Sequence, residues 1–198
     1  MARPQSVEEQ ELIGRLSRVF RDVGYEAASL SILAEATGLK KASLYHRFPG
    51  GKRQMAEEVL ATALGWVAEN IVDPLKSDLP PATRIAAVAK RLDGFYEGGG
   101  RACLLNMLSA PRGAADGPFA EAIRGAFETL IEAFSCVSRD AGNSDEIARA
   151  RAERTLMLLH GSLVMSRGLG SSEPFRTFLA GLPAELGIES STSQGVVQ

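Results

Sequence analysis

The sequence has few of the residue types that build metal centres, disulfide frameworks and many enzyme active sites. It contains two cysteines and two histidines among 198 residues. Cys103 and Cys136 match no metal-ligand spacing, and neither His46 nor His160 lies near a second histidine or a Cys-x-x-Cys pair. A serine-centred nucleophile elbow and a phosphate-binding glycine loop are also missing. We therefore predict a protein that is not an enzyme and that uses no metal and no cofactor.

Long apolar runs are missing as well. No stretch approaches the ~20 apolar residues that a membrane-spanning helix needs. Residues 1–11 are polar and acidic, which is unlike a secretory signal peptide. We therefore expect a cytoplasmic protein that has no membrane partner.

Charge is balanced over the whole chain but unevenly distributed along it. The formal net charge is −2, although residues 1–53 hold nine Lys and Arg against six Asp and Glu. A mildly basic first segment on an acidic remainder favours a DNA-binding module joined to a body with another task.

Several charged residues in this part of the chain are interpreted as solvated. Arg15, Arg18 and Arg21 lie off the apolar stripe of the first predicted helix, over residues 7–23. They indicate a solvated face, with a contact from one of them to the DNA backbone as the alternative. The adjacent acids Glu57 and Glu58 diverge on a helix, and we interpret them as solvated too.

Residues 29–52, SLSILAEATGLKKASLYHRFPGGK, indicate two short helices joined by a tight turn. Gly38 stands where a left-handed residue would end the first of them. In the second, Leu44 and Phe48 are four residues apart and point inward together. Two helices, a glycine turn and an outer helix rich in hydrogen-bond donors predict a helix-turn-helix whose second helix fits the DNA major groove.

The outer face of this motif supplies the chemistry that DNA recognition needs. Lysines neutralise phosphates, a tyrosine hydroxyl donates to a phosphate, and a short serine allows close approach to a base. Arg47 can reach a phosphate or bind a guanine edge with two hydrogen bonds. The predicted DNA-binding residues are Ser29, Lys40, Lys41, Ser43, Tyr45, His46, Arg47 and Lys52.

This stretch resembles the DNA-binding segment of the TetR family of bacterial regulators, in particular its LmrA-like branch, where one extra residue precedes the lysine of the fourth helix. The resemblance covers about the first 60 residues, and it implies a three-helix head and a helical body that encloses an apolar ligand site. The matching residues are Gly24-Tyr25, Leu33-Ala34, Gly38-Leu39, Leu44-Tyr45 and Phe48-Pro49-Gly50-Gly51-Lys52.

The rest of the chain predicts helices only, so the fold class is all-α, with a three-helix head and a body of about six helices. Ser144 is predicted to cap a helix over about 145–168, and residues 98–100 mark a hinge or a tight corner. That helix becomes apolar nearly all round between residues 156 and 165. Because an all-round apolar helix must be covered on every side, we predict a homodimer through residues 145–182.

The body is rich in aromatic and sulfur-containing side chains, which suit either a plain core or the lining of a cavity for a small apolar or aromatic effector. The family resemblance favours the cavity. His160 stays open between a hydrogen-bonded core or interface residue and a ligand contact. The predicted ligand-binding residues are Phe95, Cys103, Leu104, Met107, Phe127, Phe134, Met157 and His160.

Together these features predict a transcriptional regulator. We expect a repressor that binds palindromic double-stranded operator DNA as a dimer and is released by a small apolar ligand. The alternatives are an architectural or partner-controlled DNA-binding factor without a ligand, and an enzyme that has borrowed the fold. The predicted domains are 1–52 for DNA binding, 53–189 for ligand binding and dimerisation, and 190–198 as a disordered tail.

Overall fold

The fold is described by a computed structural model over residues 8–109 and 117–188. Every regular element within these two ranges is helical, which confirms the all-α prediction. The predicted tail at 190–198 lies outside the described residues.

The helices begin with the three of the predicted head, and the helices of the body follow. A π-helical segment, Ala68–Val72, continues the fourth helix, and a 3₁₀ turn, Glu97–Gly99, follows the sixth. The α-helices are α1 (Glu9–Ala27), α2 (Leu30–Thr37), α3 (Lys41–Arg47), α4 (Gly51–Val67), α5 (Asp73–Leu75), α6 (Pro81–Phe95), α7 (Leu104–Ser109), α8 (Ala120–Asp140), α9 (Asp145–Leu169) and α10 (Glu173–Glu185).

The chain forms two compact units. The first comes from Met1–Gly65 and Cys103–Ile123, and the second from Trp66–Ala102 and Arg124–Gln198. The short helix α7 therefore belongs to the same unit as the helix-turn-helix, although about 50 residues separate them in the sequence. The predicted division after residue 52 is a division by function, and it stays a prediction.

The first unit has its core under α1. Leu16 and Phe20 are fully buried, and α7 packs against the same helix. At Gly24 the backbone adopts a φ of +75°, and a Cβ there would lie 3.4 Å from the carbonyl oxygen of Met107. Gly24 breaks the helical conformation where the first helix was predicted to end, and a short further turn continues α1 to Ala27.

The second unit closes around a tight corner at the 3₁₀ turn. A Cβ on Gly99 would lie only 2.7 Å from Cβ of Phe175, and the φ of Gly99 is +93°. The hydroxyl of Ser166 accepts a hydrogen bond from the backbone N–H of Phe175 at 3.1 Å, which fixes the start of α10 at the same point. Of the two predicted alternatives, the glycine run is therefore a close-packed corner.

Candidate DNA-binding site

The two ends of α2 fix the position of the recognition helix that follows it. The Ser29 hydroxyl accepts a hydrogen bond from the backbone N–H of Ile32 at 3.3 Å, which caps the start of α2. Gly38 ends the helix with a φ of +71°. The following N–H, that of Leu39, bonds back to the carbonyl of Ala34 at 3.2 Å. Ser29 is exposed, so its own O–H proton stays available for a phosphate.

Helix α1 supports this turn through its arginines. Nη1 of Arg15 donates to the carbonyl oxygen of Thr37 at 2.9 Å, and Nη2 pairs with Glu11 at 2.5 Å. Arg21 is 3% exposed, so the prediction of a solvated face is wrong for this residue. Its Nε donates to the hydroxyl of Ser17 at 3.3 Å, which is one reason that a charged group is tolerated there.

Helix α3 has an inner and an outer side. Leu44 is fully buried, and Phe48 at the end of the helix is fully buried as well. The outer side is exposed, with Tyr45 retaining 49% of its accessible surface. Within residues 8–109 and 117–188, no hydrogen bond or ion pair occupies the outer side chains, which are Lys40, Lys41, Ser43, Tyr45 and His46. We name these five residues the outer face of α3.

Arg47 differs from the outer face, contrary to the prediction that it points outward. Its guanidinium forms an ion pair with Glu9 of α1 and a second one, at 2.8 Å, with Glu58 of α4. It also lies 4.6 Å from the centre of the Phe48 ring. The hydrogen bond from Arg47 lowers the pKa of Glu9, and the two carboxylates, Glu9 first, raise the pKa of Arg47.

Two hydrogen bonds of Gln54, on the first turn of α4, connect the loop before this helix to Glu58. Oε1 of Gln54 accepts the N–H of Gly50 at 2.8 Å, and Nε2 of Gln54 donates to Oε1 of Glu58 at 2.9 Å. Glu58 is therefore an ion-pair partner, and its interpretation as a solvated residue is wrong. No helical spacing reports the pairing of Arg47 with Glu9, because 38 residues separate them.

Lys52 is also partly engaged within the protein. Its ammonium donates to the carbonyl oxygens of Tyr25 at 2.8 Å and of Glu26 at 3.3 Å, and lies 4.4 Å from the centre of the Tyr25 ring. An ammonium has three donors. Lys52 thus holds the last turn of α1 and keeps one N–H for a phosphate.

The predicted ligand-binding residues divide between the two compact units. In the first unit, Cys103 and Leu104 are buried at the start of α7, and Met107 is half-buried near Gly24. Met157 belongs to the second unit, but it is 66% exposed and lies on the surface.

The remaining four predicted residues all carry aromatic rings and belong to the second unit. Phe95 stacks on Trp66 with ring centres 3.9 Å apart, and Phe134 is buried. The Phe127 ring meets the imidazole of His160 edge to face at 5.3 Å. Phe127 and His160 are therefore two predicted residues that the structure brings into contact.

His160 has an unusual environment. Both ring nitrogens are buried, and neither has a hydrogen-bond partner among the described residues. The hydrogen bond that one of its two predicted roles requires is therefore not formed to any described residue of the same chain, and both roles stay predictions. A buried polar group without a partner costs free energy, which a bound polar atom would recover.

Helices α9 and α10 border a surface groove of about 650 Å³ in the second unit. Its floor and rim are mainly apolar, and Met157 and Met165 remain 66% and 56% exposed. Val164, on the same helix, is 58% exposed. Leu163 is 1% exposed, so it packs inside its own chain rather than on this surface.

Residues 8–109 and 117–188 contain neither a helix suited to a membrane nor a cluster suited to a metal ion. No helix there combines the length and the apolar character that crossing a membrane requires. No group of three or more His, Cys, Asp or Glu side chains in the same part of the chain is arranged to hold a metal ion.

Comparison with known proteins places this geometry in a family. Residues 15–59 match the model for "Bacterial regulatory proteins, tetR family". The chain is 24% identical over 172 residues to the HTH-type transcriptional regulator LmrA of Bacillus subtilis, covering 83% of this chain and 89% of that protein. It is 36% identical over 76 residues to the HTH-type transcriptional repressor KstR2 of Mycolicibacterium smegmatis, or 37% of each chain.

A solved structure shows the same fold. It is a cysteine mutant of the TetR family transcriptional regulator CifR, complexed with double-strand operator DNA of 26 base pairs. The TM-score is 0.73 at 23% identity, and the match covers 93% of this chain and 98% of that one. These relatives are regulators of transcription, a class without enzymatic activity. Residues 15–59 therefore match the DNA-binding segment of the TetR family, and the chain over most of its length is similar to transcriptional regulators of that family.

Proposed function

We propose that the protein is a homodimeric, cytoplasmic repressor that binds a palindromic operator and is released by a small apolar or aromatic effector. The outer face of α3 carries this proposal. It presents two lysines, two ring side chains and a serine without partners among the described residues. Donors held on an exposed helix are what reading the major groove requires.

The contacts of each group follow from its chemistry. Lys40 and Lys41 suit phosphates, and Ser43 suits close approach to a base edge. Tyr45 offers a hydroxyl to a phosphate and a ring to a thymine methyl, and His46 suits the DNA backbone. Ser29 and Lys52 flank the helix with one remaining donor proton each.

A second copy of the chain is the partner that best fits residues 145–182. Met157, Val164 and Met165 expose more than half of their surface on one helix. Apolar groups that a single chain leaves in water become buried when two copies pack these helices together. A two-fold dimer would present two α3 helices about 34–36 Å apart, one DNA turn, or a multiple of it.

The effector site is proposed for the helical body. His160 supports a polar anchor point, because its two buried nitrogens have no hydrogen-bond partner in the described part of the chain and its ring contacts Phe127. The packing of α7 on α1 at Gly24 supports a route to the DNA-binding helices, since a shift of α7 would press on α1. The repressor role is supported by the similarity to KstR2, which is a transcriptional repressor.

The test starts by selecting a duplex from a random-sequence pool with the purified protein. Diverse apolar and aromatic compounds are then screened for release of that duplex. For a compound that releases it, calorimetry with and without DNA must give the same coupling in both directions. A hundredfold loss of DNA affinity corresponds to about 2.7 kcal/mol. Equal compound affinities with and without DNA would exclude the proposed mechanism, and a library without any releasing compound would favour the ligand-free alternative.

A further inference from the structure

We propose that Arg47 is a positioning residue, which fixes the orientation of the recognition helix by clamping it between α1 and α4. The proposal rests on DNA binding through α3. In this proposal Arg47 does not contact a base; it holds α3 in the orientation that DNA binding requires. We call the four side chains involved, Glu9, Arg47, Gln54 and Glu58, the Arg47 clamp.

The guanidinium uses its donors inside the protein. Toward α1 it forms an ion pair with Glu9. Toward α4 it is bidentate, with Nη1 at 3.3 Å from Oε1 of Glu58 and Nη2 at 2.8 Å from Oε2. A bidentate arginine–carboxylate pair fixes direction as well as distance. The guanidinium therefore directs four of its five N–H donors to two carboxylates, one on α1 and one on α4.

The clamp continues into the loop before α4. Oε1 of Glu58 also accepts from Nε2 of Gln54, while Oε1 of Gln54 accepts the N–H of Gly50 at 2.8 Å. The end of α3 and the first turn of α4 are thereby tied to the same carboxylate. Any change in the direction of α4 acts on Arg47 through Glu58.

Helix α3 needs such a fixed point because it has few others. It is seven residues long, and Leu44 is its one buried residue. At its start, Lys40 gives no side-chain cap. Short helices are poorly held by their own hydrogen bonds. The ion pairs at the C-terminal end of α3 therefore fix its orientation relative to α1 and α4, which the packing of one buried residue would fix only weakly.

Electrostatics separates this role from direct contact with DNA. Removing the charge of Glu58 takes a negative group away from the DNA-binding unit, so simple attraction to phosphates would rise. A clamp without Glu58 instead leaves Arg47 and α3 less well placed, so affinity would fall. The two mechanisms predict opposite signs for one substitution.

The chain provides a matched control at the neighbouring position. Glu57 is also on α4, and it forms an ion pair of the same length, 2.8 Å, with Arg53. Glu57→Gln and Glu58→Gln remove the same charge one residue apart. Of these two carboxylates, Glu58 is the one that pairs with Arg47, whereas Glu57 pairs with Arg53.

The experiment measures the affinity of the full chain for a duplex selected from a random pool, over a range of salt concentrations. We expect Glu58→Gln to lose about tenfold in affinity and Glu57→Gln to lose none. Arg47→Met should match Glu58→Gln, with an unchanged salt slope, and the double variant should be no worse than either single one. Melting curves of each variant confirm that the fold is intact.

A contrary set of results would overturn the proposal. If Glu58→Gln binds as tightly as Glu57→Gln and Arg47→Met flattens the salt slope by about one unit, Arg47 touches the DNA itself. If Glu58→Gln fails to fold, Glu9→Gln opens the clamp from its exposed side and must show the same loss. A wild-type protein that selects no duplex would instead contradict the proposed function.

Discussion

The ammonium of Lys52 donates to the carbonyl oxygen of Tyr25 at 2.8 Å, so the first turn of α4 holds the last turn of α1. A lysine expected only to neutralise a phosphate thus has a structural partner as well. The carbonyl groups at a helix C-terminus carry partial negative charge, which an ammonium stabilises.

Replacing Lys52 with Met should therefore affect two properties together. We expect a loss of about 1 kcal/mol in the free energy of unfolding, because carbonyls of the last turn of α1 lose a charged donor. We also expect weaker binding to every duplex and a salt slope flatter by about one unit. Urea unfolding and salt titrations measure the two effects. A change in the slope without a change in stability would show that the contacts to α1 contribute little.

Replacing Lys41 with Ala should weaken DNA binding without affecting stability. Lys41 is exposed, and its side chain forms no hydrogen bond or ion pair with the described residues, so its removal should not destabilise the fold. We expect affinity to fall on all sequences and the salt slope to decrease by about one unit. Lys90→Ala on α6 is the control, because Lys90 is also exposed and lies in the other compact unit. Equal behaviour of the two variants would contradict the assignment of the outer face of α3.

The dimer prediction needs a different substitution from the one that the sequence suggests. Leu163 attracts attention in the apolar stretch, but it is 1% exposed, so Glu there would disrupt the fold of the single chain. Val164 is 58% exposed on the same helix. We expect Val164→Glu to leave the melting of the chain cooperative and to yield monomers, because it buries an unpaired charge between two copies.

Light scattering at micromolar concentration measures the result. Leu79→Glu is the control, since Leu79 is 54% exposed and lies outside residues 145–182. A wild-type protein that is monomeric under these conditions would exclude the proposed dimer.

Two adjacent glycines give a prediction about stability. Both have positive φ, but a Cβ on Gly98 would meet open space, while a Cβ on Gly99 would lie 2.7 Å from Cβ of Phe175. We expect Gly98→Ala to cost about 1 kcal/mol of unfolding free energy from backbone strain alone. Gly99→Ala should cost a further ~1–3 kcal/mol from overpacking. Urea midpoints decide the matter, and equal midpoints would show that the corner at Gly99 relaxes.

The ion pair of Arg47 with Glu9 predicts a pH dependence with a defined sign. The hydrogen bond from Arg47 lowers the pKa of Glu9 from its ordinary value of 4.5. A carboxylate with a lowered pKa in the folded state adds stability above its unfolded pKa, and this stability is lost as pH falls through the folded pKa. Stability should therefore drop on acidification below about pH 4.5, and Glu9→Gln should reduce that drop. Melting temperatures of both proteins between neutral and acid pH test this, and identical curves would contradict it.

Local features of the fold were predictable from the sequence because they depend on neighbouring residues. Ser144 caps α9 by accepting the N–H of Ile147 at 3.4 Å, as its position predicted. Gly38 adopts the left-handed conformation that ends α2. The spacing of Leu44 and Phe48 correctly predicted that both are buried. Each inference used residues within one or two helical turns.

The errors concern residues whose partners are distant in the sequence. Arg47 is oriented by Glu9, which precedes it by 38 residues. Helical periodicity assigns an arginine to the surface, because the pattern carries no information about carboxylates that are distant in the sequence. The same limit applies to Met157, whose exposure depends on which side of α9 its own chain covers.

The face-to-face stack of Trp66 on Phe95, 3.9 Å between ring centres, gives the protein a built-in optical reporter. Trp66 is the one tryptophan in the chain. It lies two residues before the π-helical segment Ala68–Val72, and its partner ring sits at the end of α6. Emission from the indole therefore responds to the packing of α6 against the end of α4, so melting and compound titrations are readable in unlabelled protein.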